Sequence, residues 1–211
     1  MLYAQFRKDV LNQPVILSRD LALARDDSQI LRNQLIRWQK KNLLIKLRRG
    51  VYMLNENDRK VSPSRAFIAS QLYSPSYVSM EYALSSYGLI PERVADVTSI
   101  TTRKTAVFSN ASGIFRYQHV KPGGFRGFLA SRDEAGLPFF IAEPEKAVVD
   151  LLYLQLNKIK DYSSALFEEH FRFQNLDSLK PKKIMSYAKV FHSGKLMRVA
   201  KALCAYMKES R

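Results

Sequence analysis

The feature that most constrains this chain is local. Two short apolar runs, Leu43-Leu44-Ile45-Lys46-Leu47 and Val51-Tyr52-Met53-Leu54, are separated only by Arg48-Arg49-Gly50. Apolar, partly alternating runs of this length around a glycine-containing turn read as a β-hairpin. A lone two-stranded ribbon is marginal in water, so this one must pack against neighbours. Upstream, Leu2, Phe6 and Val10 fall at helical spacing before a break at Gln13-Pro14. Ser18 suits the cap of a second short helix, with Leu21 and Leu23 turned inward. Asp26-Asp27-Ser28 reads as a turn and a further cap. From Gln29 to about Lys41 the pattern predicts a third helix, with Leu31, Leu35 and Trp38 as its buried stripe.

Charge adds the next constraint. The chain carries 34 Lys+Arg against 19 Asp+Glu, a formal net charge of +15. Residues 1–60 hold 13 basic and 6 acidic residues and are the most densely positive segment. A balance of this kind points to a polyanionic partner, most often nucleic acid. Three short helices and a hairpin make up the plan of a winged helix-turn-helix, expected over residues 1–58. In that plan the second helix of the pair enters the major groove and reads base edges. Here that helix begins at Ser28, and its side away from the apolar stripe carries Gln29, Arg32, Asn33, Arg37 and Lys40. Arginine suits guanine, Asn or Gln suits adenine, and lysine suits phosphate. Lys46 in the hairpin and Arg48 and Arg49 at its tip are expected against phosphates or in the minor groove. Ile36 also falls on this side, where it either packs on the hairpin or meets a thymine methyl.

Residues 55–63 read as a polar linker, and 62–211 as a second, mixed α+β unit with a helical C-terminal end. Helices are expected over Ser64 to Tyr73, over Ser76 to Tyr87, and from Glu143-Pro144-Glu145, where proline suits the first turn and acids suit its positive end. Strand patterns cover Val94 to Thr101, Val107-Phe108, Gly113 to Val120, Phe125 to Ala130 and Leu137 to Ile141. The segment from Pro181 is helical in pattern and rich in lysine, with Leu196, Val199, Leu203 and Met207 as its stripe. Its basic side is expected either as a solvated face or against flanking DNA or an acidic protein. The fold class is therefore α+β.

Three stretches in order resemble one family. Leu44-Ile45-Lys46-Leu47-Arg48-Arg49-Gly50-Val51-Tyr52 is similar to the wing of the AbiEi abortive-infection antitoxins. Tyr77-Val78-Ser79-Met80-Glu81-Tyr82-Ala83-Leu84 resembles the start of that family's second domain. Ile141-Ala142-Glu143-Pro144-Glu145-Lys146-Ala147-Val148-Val149-Asp150-Leu151-Leu152-Tyr153 resembles its "PEKALLDLLY"-type helix. The resemblance spans roughly residues 15–155. It implies a winged-helix regulator that binds double-stranded DNA at the operator of its own operon. It also implies an antitoxin to a nucleotidyltransferase-type toxin, in a type IV system.

The rival expectation is a nucleic-acid-processing enzyme. Metal-dependent nucleases need several carboxylates, usually with a lysine, converging on a cation. Asp133, Glu134, Glu143, Glu145, Lys146 and Asp150 supply such groups, although the two acids and lysine at 143–146 sit at a helix start. His119, His170 and His192 show no paired spacing, and Gly123-Gly124 lacks the sequel of a phosphate loop. Phe115, Tyr117, Phe125 and Phe128, with Arg116 and Arg126, are a further candidate, as a base-stacking surface. Cys204 alone forms no disulfide within the chain and reads as packing. The expectation is a non-enzymatic, cofactor-free and metal-free cytoplasmic protein, a monomer or a weak dimer on DNA. The sequence predicts no secretion signal and no membrane span.

Overall fold

A computed structural model of the chain describes residues 2–23 and 28–209, with the side chains of residues 22, 23 and 28 excepted. The expected turn at Asp26-Asp27, the inward Leu23 and the capping hydroxyl of Ser28 lie outside that description. The first elements are α1 (Tyr3–Val10), β1 (Ile16–Leu17), α2 (Ser18–Leu23), α3 (Ser28–Lys40), β2 (Leu44–Arg48) and β3 (Val51–Leu54). The three strands form one antiparallel sheet in the order β1-β3-β2. Phe6 and Val10 of α1, Leu31, Leu35 and Trp38 of α3, and Ile16, Leu44 and Leu54 of the sheet share a small core. Phe6 and Trp38 rings lie 4.5 Å apart at its centre. Leu2 precedes α1 and is 81% exposed, so only two of the three residues at helical spacing are core.

The remaining elements are α4 (Arg65–Leu72), β4 (Ser76–Val78), α5 (Met80–Ser86), β5 (Val97–Thr101), β6 (Ala106–Asn110), β7 (Gly113–His119), β8 (Phe128–Arg132), β9 (Pro138–Ala142), α6 (Pro144–Leu154), α7 (Pro181–Lys189) and α8 (Gly194–Glu209). The second sheet is mixed, in the order β6-β7-β5-β4-β9-β8, with β5–β7 and β4–β9 parallel. The expected helix over Ser76 to Tyr87 is corrected here. Ser76–Val78 is a strand near the middle of the sheet, and the helix begins only at Met80. All three strand residues are buried, so neither face carries a polar alternation that would mark it.

Side chains alternate across this sheet. Tyr117, beside Ser99 and then Val78, faces α4 and donates its hydroxyl to the Ala69 carbonyl at 2.7 Å. Tyr77 and Ser79 face the opposite way, towards α6. There lies a fully buried polar cluster. Lys146 pairs with Asp150 one helical turn later. Tyr77 and Ser79 donate to the second carboxylate oxygen at 3.0 and 2.8 Å. The Lys146 ammonium also donates to the Tyr77 hydroxyl at 2.8 Å. Burial lowers the lysine's affinity for its proton and raises the carboxyl's, against the attraction between them. The same burial, helped by the neighbouring Asp150 charge, pushes the Tyr77 phenol above its ordinary value.

Candidate nucleic-acid interface

The hairpin determines which basic residues can act together. Residues opposite one another in a sheet share a face. Ile16, Leu44, Lys46, Tyr52 and Leu54 point towards α3 and the small core. Leu17, Ile45, Leu47, Val51 and Met53 point to the other side and join the large core of the second sheet. The register shifts between Lys46 and Arg48, so that Lys46 pairs with Tyr52 but Arg48 pairs with Val51. One residue, Leu47, is thus inserted as a bulge. Without it Arg48 would share the face of Lys46. With it, Arg48 turns towards the second sheet, close enough to Tyr117 for its charge to act on that phenol. Its Nε is buried and, among the described residues, has no hydrogen-bond partner. Arg48 and Arg49, expected together against phosphates or in the minor groove, are thus placed on different faces by this bulge. Arg49 alone is exposed, in the turn that Gly50 closes at φ +79°. A Cβ at that glycine would stand 3.1 Å from the Ser18 hydroxyl.

Helix α3 presents its polar side next to this surface. A concave region of about 790 Å³ runs between α3 and the hairpin. Gln29, Arg32, Ile36 and Gln39 line it from the helix, Lys46, Arg49, Gly50 and Tyr52 from the hairpin, and Ser18 and Arg19 from α2. Residues 29, 32, 36 and 39 follow one another at intervals of three and four, one stripe of a helix. Of the expected contacts, Gln29, Arg32, Lys46 and Arg49 therefore meet in one place. Asn33, Arg37 and Lys40 are exposed on α3 but do not line the concavity. The Gln29 amide donates to Asn33 at 3.4 Å, which ties the two expected adenine readers together. Ser28 opens α3. Ile36 lines the concavity and is still 45% exposed, so the hairpin does not cover it.

Electrostatically the region is one-signed. Its described lining carries Arg19, Arg32, Lys46 and Arg49 and no carboxylate. Arg19 is paired with Asp20, both largely exposed, at 3.3 Å. Ser18, Arg19, Gln39 and Tyr52 were not expected here. The alternation of Tyr52 with Lys46 across the hairpin was the available signal for one of them. The others needed the placement of α2.

The remaining sequence candidates separate. Asp133 accepts backbone N–H bonds from Ser64, Ala135 and Leu137 at 2.8–3.0 Å. Burial works against it, yet these donors hold its carboxyl below the usual range. Glu143 pairs with Lys183, and the buried Glu145 accepts from the Lys180 amide at 3.1 Å. Asp150 faces the interior with Lys146. Among the described residues no group of three or more His, Cys, Asp or Glu is arranged to hold a metal ion. The stacking surface is corrected as well. Phe115 and Tyr117 are core, Arg116 pairs with Asp96 at 2.8 Å, and Phe128 stacks on Tyr77. Cys204 is a half-buried thiol between α7 and α8, and burial raises its pKa against the pull of Lys208. Among the described residues no helix is long and apolar enough to cross a membrane. Comparison with models of known protein families finds no match to this chain, and comparison with curated proteins finds none either.

Proposed function

We propose that this chain is a DNA-binding regulator whose first 58 residues form a winged helix-turn-helix. In this reading α3 enters the major groove, with Arg32, Asn33 and Gln29 towards base edges. Lys46 and Arg49 lie against the phosphates that flank it, and Arg37 and Lys40, both in its last turn, hold that end of the helix to the backbone. Ile36 meets a thymine methyl. Arg48 is withdrawn from the list of contacts. The observation that carries the reading is the concavity between α3 and the hairpin, which gathers four cations and, among its described residues, no acid. Each phosphate neutralised there releases counterions, which favours binding of any duplex, while the amide and guanidinium groups of α3 supply discrimination.

The three ordered motifs support a narrower version. The protein is an antitoxin of the AbiEi type in the cytoplasm. It represses its own operon through the N-terminal unit, and residues 62–211 counter a nucleotidyltransferase-type toxin. Fluorescence anisotropy at about 150 mM salt tests the first part. The duplex lying directly upstream of the gene should bind at least about 10³-fold more tightly than a shuffled duplex. Equal weak binding to both defeats the repressor reading. Growth rescue on co-expression with the neighbouring toxin gene tests the second, and absence of rescue removes the antitoxin role while leaving DNA binding intact.

A further inference from the structure

Strand β8 is the last strand of the second sheet, and its outer edge has the features of a self-pairing strand. The ladder to β9 fixes which backbone groups face outward. The Glu143 amide donates to the Gly127 carbonyl, and the Asp133 amide donates to the Leu137 carbonyl. In the same register Leu129 opposes Ile141 and Ser131 opposes Phe139. Residues 127, 129, 131 and 133 therefore turn their N–H and C=O groups towards β9. Those of Phe128, Ala130 and Arg132 turn to the free edge.

We propose that two copies of this chain pair antiparallel through β8, on a two-fold axis at Ala130, joining their sheets into one. Centred there, Ala130 faces Ala130 of the partner subunit, and Phe128 faces Arg132 of the partner subunit. All three outward residues then fall at hydrogen-bonded positions, giving six backbone bonds across the axis. The side chains fit this register. Ala130 and Arg132 are exposed, and the small Ala130 leaves room beside Phe140, which is 47% exposed on the same face. A cation then stands opposite the Phe128 ring. On the other face Leu129, 52% exposed, gains its own symmetry mate as a diagonal neighbour. The strand ends are of opposite charge. Exposed Arg126 precedes β8 and exposed Glu134 follows it, so an antiparallel copy brings each beside the other. The edge has no proline or bulge within it, and its one charge, Arg132, stands opposite the Phe128 ring in this register. A self-complementary edge of this kind is isologous, as a two-fold dimer requires.

The experiment is sedimentation velocity on the full chain up to about 200 µM, in about 0.5 M salt to screen the net charge. The wild type should form dimers as concentration rises. Ala130→Glu and Ala130→Lys each place like charges opposite one another on the axis, and each should remain monomeric. An equimolar mixture of the two should recover dimers, because unlike charges then face each other. A wild type that stays monomeric overturns the proposal. So do variants that dimerise as the wild type does, or a mixture that stays monomeric. Hydrogen exchange on the wild type gives a test without variants. The amides of Phe128, Ala130 and Arg132 should gain protection with concentration, whereas those of Leu129 and Ser131 should not change. Equal change at all five, or at none, counts against β8 as the contact.

Discussion

Arg48 and Arg49 are neighbours in sequence with the same charge, and the bulge at Leu47 predicts that they behave differently on DNA. In the proposed docking Arg49 is one of four cations set against phosphate, with Arg37, Lys40 and Lys46. If each neutralises one phosphate, the slope of log K against log salt is about −3.6, so affinity falls about 150-fold between 50 and 200 mM. Arg49→Ala removes one contact, moves the slope to about −2.7, and reduces that fall to about 40-fold. Arg48→Ala removes a side chain that faces the second sheet, so the slope stays near the wild-type value. Its effect appears instead as reduced stability, because its half-buried side chain, with Nε enclosed, lies on that face. Anisotropy titrations of one duplex at four salt concentrations, with urea melts of both variants, separate the two outcomes. A slope that flattens equally for both variants refutes the assignment of Arg48 to the inner face. A slope unchanged by Arg49→Ala refutes the concavity as the phosphate-binding surface.

Three further outcomes follow from the same geometry. Asn33→Ala should lower affinity for the preferred duplex by about 1–3 kcal/mol and leave a shuffled duplex nearly unaffected, whereas a uniform loss would make Asn33 a backbone contact. Lys146→Met leaves Asp150 buried without its counter-charge and should cost about 3–5 kcal/mol in urea unfolding; Lys146→Met with Asp150→Asn should recover much of that, and additive losses would refute the pairing. The carboxyl of Asp133 titrates below its unfolded value, so its contribution is complete above about pH 4 and is lost as acid protonates the folded form. Asp133→Asn should therefore remove part of the acid sensitivity of the melting temperature below that pH, and an unchanged acid profile would exclude the residue as its source.

How far the sequence anticipates this structure depends on how local each determinant is. The stripe Leu31, Leu35 and Trp38 is a property of one helix, and all three residues are core. The hairpin is equally local, since a glycine turn between two apolar runs admits few alternatives. Strand β4 is not local. Ser76-Tyr77-Val78 is buried on both faces, so it has no period of two, and its preference is set by β5 and β9 on either side. The bulge at Leu47 is likewise invisible in composition. Leu44 and Leu47 look like one face of a short helix or an imperfect strand, yet each serves a different core. Lys146 and Asp150 read from the sequence as candidate groups of a metal site, and only the sheet that covers them makes them a buried pair. For the same reason its partners Tyr77 and Ser79, about 70 residues earlier, could not be named from spacing.

That two-sided hairpin also bears on how the two halves of the chain act together. Its α3 side supplies Lys46 and Tyr52 to the concavity, while Leu47, Val51 and Met53 on the reverse side are buried in the core of the second sheet. The Asn110 side chain of β6 donates to the Leu47 carbonyl at 3.0 Å, at the residue where the bulge sits. Arg65, at the start of α4, lies over Phe115 and against Gly113 in the adjoining hairpin. A polar linker alone would let the two halves turn independently. A shared strand pair does not, because rotating the N-terminal unit would expose Leu47, Val51 and Met53 to water. At about 25 cal/mol per Å² of apolar surface, even partial exposure of three such side chains costs a few kcal/mol. The second sheet therefore determines how the basic concavity is presented.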